Sequence, residues 1–160
     1  MKSLSQNIQF KKSFHILHEI EISYKSKTKL SDRVKLTSSQ NVYQCLMDIW
    51  NPDTIELHER FYVIYLDRAN HVLGCIQHSI GGIAGTVADV RLILATALKA
   101  RATSLILAHN HPSGRLIPSQ ADRKLTEKVK DGAALLDLSL LDHLIVTSEG
   151  YYSFADEGLL

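Results

Sequence analysis

The chain has 160 residues, 45% of them apolar and 22% charged, with a net charge of +1. That is enough chain for one domain around one core, and the composition excludes collagen-like, disordered and disulfide-scaffold proteins. The near-neutral balance also argues against a dedicated nucleic-acid binder, which carries a strong basic excess.

The charge is unevenly spread. Through Lys35 there are eight basic residues against three acidic ones, a net +5, which leaves −4 for the remainder. Residues 1–35 therefore read as a basic, partly ordered segment, either a solvated face or a surface for phosphates or an acidic partner. The first residues have no apolar core of the signal-peptide kind, and no apolar run approaches a membrane span. A soluble cytoplasmic protein with no membrane contact is the expectation. Cys45 and Cys75 form no CxxC pair and are expected to stay reduced.

Apolar and polar residues alternate over His18–Tyr24, as in a half-buried strand. Ser38 or Ser39 can cap a helix whose apolar stripe is Val42, Cys45, Leu46, Ile49 and Trp50, stopped by Asn51-Pro52. Glu59–Leu66, rich in aromatic and β-branched residues, reads as a buried strand; Asp67–Asn70 as a turn; His71–Ile80 as the partner strand of a hairpin. Gly81, Gly82 and Gly85 mark a loop. Thr86–Asp89 resembles a capping box opening a helix with Val87, Val90, Ile93, Leu94, Ala97 and Leu98 on one side. Ser104–Ala108 is a short apolar strand that runs into His109. A loop stiffened by Pro112 and Pro118 and bent at Gly114 leads to a helix from Ser119 to about Leu136, with Leu125, Val129 and Leu136 inward. Leu138–Thr147 is a strong strand, and Tyr151–Phe154 a short edge. This order predicts an α/β sandwich, a mixed sheet flanked by helices.

The chemistry lies between His109 and Asp122. Side chains at i and i+2 of an extended chain share a side, so His109 and His111 present two imidazoles to one point. If Ser119 is an N-cap, Asp122 falls in the first helical turn, where the helix dipole favours a carboxylate. Two imidazoles and one carboxylate suit zinc, and three protein ligands leave the open position of a hydrolytic site. Glu59, at the head of the buried strand, is the candidate base, and Ser119 a candidate donor to an oxyanion. Each element also has a plainer reading. His-Asn-His-Pro serves as a polar loop, Ser119-x-x-Asp122 as a capping signal, and Glu59 as a solvated strand end. Competing motifs are missing: HExxH, the HxE with PCxxC of deaminases, the P-loop and GxSxG.

His109-x-His111, seven residues, Ser119, two residues, Asp122 resembles the JAMM metalloprotease signature. LILAHNHPSG, PSQAD, LLDHLIV and YYSF together, with ERFYVIYLD and Gly85-Thr86 before them, are similar to the RadC branch of that family over residues 59–160. The resemblance implies a single α/β MPN/JAMM domain, here residues 36–160, with cytidine-deaminase-like layering. It implies one zinc per chain on His109, His111 and Asp122, Glu59 activating water, Ser119 steadying the tetrahedral intermediate, and a peptide or isopeptide substrate. The family label is attached to DNA repair, whereas the residue chemistry points to hydrolysis; a DNA-processing accessory role and a non-catalytic MPN scaffold are the alternatives. Longer RadC proteins carry a helix-hairpin-helix region ahead of this domain, and residues 1–58 show none. Arg115 replaces the branch's acidic loop residue and is either an exposed arginine or a contact for a substrate carboxylate. His143 is either an ordinary strand histidine or a hydrogen-bond partner of a ligand.

Overall fold

The computed structural model describes residues 29–81 and 88–160. Five strands form one mixed sheet: β1 (Arg60–Leu66), β2 (Val72–Ile80), β3 (Ser104–Asn110), β4 (Ser139–Val146) and β5 (Tyr151–Ser153). Their spatial order is β2-β1-β3-β4-β5. β3 pairs antiparallel with β1 and parallel with β4, while the two outer pairs are antiparallel. A parallel pair needs a crossover, and helix α3 (Gln120–Ala134) supplies it between β3 and β4.

Strand alternation sorts the core into two halves. Ile64, Leu66, Ile106, Ala108, Leu144 and Val146 face helix α1 (Ser39–Ile49) and pack on Val42, Leu46 and Trp50. Phe61, Val63, Tyr65, Leu105 and Leu107 face the other way, onto Ile93 and Ala97 of helix α2 (Val90–Lys99) and Val129 and Ala133 of α3. The result is the layered α/β sandwich that the sequence predicts. It also fixes what the C-terminal ends of β3 and β4 can reach: beyond the register shift after Leu140, odd-numbered positions of both point toward α3.

Several local expectations change. The strand over 18–24, Gly82, Gly85 and the Thr86–Val87 start of the second helix lie outside the described residues. That helix begins at Val90, and Asp89 is its cap, with Oδ1 accepting from Arg91 N at 2.9 Å. Ser38, not Ser39, caps α1. β3 runs two residues past Ala108, so His109 lies within the sheet. Ile49, Leu98 and Leu136, expected inward, are 46%, 53% and 39% exposed. All three sit at the last turn of a helix or just beyond. No helix among the described residues is long and apolar enough to cross a membrane.

Cys45 and Cys75 are free thiols, partly buried against the α1-side core. Burial pushes Cys75 up to about 12, with the charge of Cys45 adding to it. Burial, then the charge of Asp48, raises Cys45. The thiolate is the reactive form. At about pH 8 the native protein should therefore react with an aromatic disulfide reagent much more slowly than the urea-unfolded chain, and faster as pH rises. Prompt labelling of both thiols in the native state would contradict the burial that this packing describes.

Candidate metal centre

His109 occupies the last turn of the α3-facing row of β3 and is 1% exposed. Beyond it the backbone stays tied to the sheet, because His111 N donates to Val146 O at 3.1 Å. The chain then turns at Gly114, whose φ of 73° is left-handed and which only glycine adopts without strain. The turn brings the Arg115 carbonyl to 2.7 Å from His111 Nδ1. A carbonyl accepts only, so Nδ1 of His111 carries a hydrogen, and in the neutral ring Nε2 carries none.

Asp122 reaches the same point from the first turn of α3. Ser119 caps this helix in a reciprocal box: its Oγ accepts from Asp122 N at 3.1 Å, and Ser119 N donates to Asp122 Oδ2 at 2.6 Å. Oδ1 is left facing the histidines, 3.3 Å from His109 Nε2, while His111 Nε2 lies 3.7 Å from Oδ2. The two Nε2 atoms are 3.0 Å apart. One ligand atom from each of the three residues lies within 4.8 Å of the others. Donors at about 2.0–2.1 Å from a tetrahedral zinc stand roughly 3.3 Å from one another; the Nε2–Nε2 and His109 Nε2–Oδ1 separations are near that, while His111 approaches the other carboxylate oxygen.

The electrostatics favour a cation there. Burial alone would raise the Asp122 carboxyl, but contacts with His109 and His111, the charge of His109 and the Ser119 side chain hold it far below the carboxylate range. His111 is raised, first by its contact with Asp122 and against the effect of burial, with the Arg115 carbonyl and the charges of Asp122 and Glu59 adding to it. A proton or a metal ion can supply the positive charge this cluster attracts, and the two compete for the same nitrogen.

Glu59 and Ser119 share an open cleft of about 360 Å³ with His111, Arg115 and Ile117. The Ser119 hydroxyl oxygen accepts from the Asp122 amide, and its side chain also contacts the Asp122 carboxylate. The structure thus brings all five residues singled out from the sequence, His109, His111, Asp122, Glu59 and Ser119, to one end of the sheet, with Arg115 beside them.

Two polar residues that the sequence reading passed over hold this end together. Asn110 is fully buried; its Nδ2 donates to Ile55 O at 2.6 Å and His58 O at 3.0 Å, and its Oδ1 accepts from Arg60 N at 2.7 Å. It pins the segment carrying Glu59 to the end of β3. Its only signal in the sequence is its place between two histidines, since its partners lie 50–55 residues away. Thr126, one turn after Asp122 on α3, lies 2.6 Å from His143 Nδ1, and His143 Nε2 lies 2.8 Å from His109 Nδ1. His143 is therefore the partner of a candidate ligand. Burial pushes it well below the ordinary histidine range, so its ring is neutral. Replacing Asn110 by Ala strands three backbone groups and should lower stability in urea titration by about 2 kcal/mol; unchanged stability would show that the segment before β1 does not depend on it.

A sequence profile of RadC-like JAB domains matches residues 36–159. A UPF0758 protein of Flavobacterium johnsoniae is 44% identical across 98% of this chain and 70% of its own length. UPF0758 proteins of Porphyromonas gingivalis and Protochlamydia amoebophila are 42% and 31% identical, over 80% and 97% of this chain and 56% and 66% of their own. The chain thus spans about half to two thirds of the length of the curated relatives it matches.

Proposed function

Because this chain belongs to the family of RadC-like JAB domains, we propose that it is a zinc-dependent hydrolase of peptide or isopeptide bonds, with His109, His111 and Asp122 holding about one zinc per chain. The supporting observation is the convergence of two imidazole nitrogens and a carboxylate, with His111 opening onto a cleft that also holds Glu59 and Ser119. Three protein donors leave a position open, as hydrolytic sites require. When bound, zinc supplies Lewis acidity, polarising a carbonyl and bringing the ionisation of water to about pH 7.

The chain's own residues do the rest. Glu59 takes the proton of the attacking water on its carboxylate and returns it to the leaving nitrogen. The Ser119 hydroxyl donates toward the oxygen of the carbonyl under attack, where negative charge develops. Arg115, on the wall of the same cleft, offers a guanidinium to a carboxylate of the substrate. A DNA-associated role draws only on the basic balance of residues 1–35 and stands second.

Elemental analysis of the purified protein should give about one zinc per chain, lost in His111→Ala and Asp122→Ala variants that remain folded. Glu59→Gln should keep the zinc and reduce turnover of a peptide or isopeptide substrate at least about a hundredfold. Undiminished turnover in that variant removes Glu59 from the mechanism. A wild-type protein that takes up no zinc when zinc is offered removes the hydrolase reading.

A further inference from the structure

The buried contacts behind His109 form a single file. Asp122 O lies 2.6 Å from Thr126 Oγ1, Thr126 Oγ1 lies 2.6 Å from His143 Nδ1, and His143 Nε2 lies 2.8 Å from His109 Nδ1. His109 Nε2 then faces Asp122 Oδ1 and His111 Nε2. Thr126 is 3% exposed and His143 fully buried, with the His143 ring stacked on Phe154 and edge-on to Phe61, so neither ring nitrogen of His143 has water as an alternative partner.

We propose that Thr126 and His143 are a positioning relay that keeps the outward nitrogen of His109 free of hydrogen, and so available to a cation. The proposal rests on the zinc reading above for its purpose but on hydrogen counting for its form. The Asp122 carbonyl carries no hydrogen, so the single hydroxyl hydrogen of Thr126 goes to it. Thr126 Oγ1 can then only accept, and the hydrogen it accepts is on His143 Nδ1. A neutral imidazole has one N–H, so His143 Nε2 is an acceptor, and its neighbour His109 Nδ1 must donate. In the neutral ring the hydrogen of His109 is thereby held on the inward nitrogen, and any hydrogen on Nε2 is an added proton that a metal ion displaces. Reversing the file would turn the Thr126 hydroxyl toward His143, place a hydrogen on each Nε2 in turn, and fill the position a metal ion needs. Thr126 fixes the direction because its hydroxyl has a backbone acceptor one turn back on its own helix. Thr126 is thus a residue that touches neither metal nor substrate and acts through two imidazoles.

Two measurements test this. Long-range proton–nitrogen NMR of the histidine rings in the metal-free wild type should find the hydrogen of His109 on Nδ1 and that of His143 on Nδ1. Competition of the protein with a chromophoric chelator for zinc should show Thr126→Val, an isosteric change, weakening zinc binding about tenfold to a hundredfold, with Thr126→Ser restoring it and all three proteins melting cooperatively. A purely structural role would not follow the hydroxyl in this way. Zinc affinity unchanged in Thr126→Val, or a hydrogen on His109 Nε2 with none on Nδ1 in the wild type, overturns the relay and leaves the zinc reading standing. Absence of zinc binding by the wild type overturns the zinc reading instead, and the position of the hydrogen on His109 in the metal-free protein still decides the relay.

Discussion

β3 is buried along its whole length and paired on both sides, and its register sets what meets at the end of the sheet. His109 lies opposite Phe61 of β1 and Ile145 of β4, while Leu107 lies opposite His143. Slipping either pairing by one residue would turn His109 toward α1 and His143 away from α3, because side chains alternate across the sheet. The apolar residues on both faces resist such a slip. Leu105, Leu107, Ile106 and Ala108 are each committed to one half of the core, so the hydrophobic pattern of one strand is also what aims a histidine.

With those apolar residues goes a dense set of buried polar groups, His109, Asn110, Asp142 and His143 on the sheet and Thr126 on α3. Burying such groups unpaired is costly, and here each has partners. Asp142, whose carboxyl burial raises, receives hydrogen bonds from Ser153, Ala155 and the His143 amide. It thereby ties β5 and the following turn to β4, one residue from the histidine that reaches the candidate ligand. Successive residues serve opposite faces: Asn110 holds the segment before β1 while His109 faces α3, and Asp142 holds the C-terminal turn while His143 backs His109.

How much of this the sequence discloses depends on the range of each contact. His109, His111, Ser119 and Asp122 lie within fourteen residues, and their geometry follows from a strand end and a helix start, so their spacing alone suggests the cluster. Glu59 is fifty residues earlier, and only the family resemblance singles it out with force; its place in the cleft comes from the β1–β3 register and from Asn110. Asn110 itself is silent in sequence because all three of its partners are backbone groups of a distant segment. Thr126 was open to discovery: it is four residues after Asp122, hence on the same helix face, but a threonine in a helix announces nothing until a strand histidine is seen beside it. The expectations at Ile49, Leu98 and Leu136 fail for a different reason, since periodicity marks an apolar stripe but not which of its members near a helix end the packing covers.

The reciprocal cap at the start of α3 has an effect on binding entropy. A carboxylate that closes on a cation ordinarily loses rotamer freedom, about 0.5–1.5 kcal/mol for an immobilised side chain. Asp122 has one oxygen already held by the Ser119 amide, and the rings of His109 and His111 are each anchored through Nδ1. Folding has done the ordering beforehand, so an ion arriving here would find three donors already in place, and little of its attraction to them would go to fixing their rotamers.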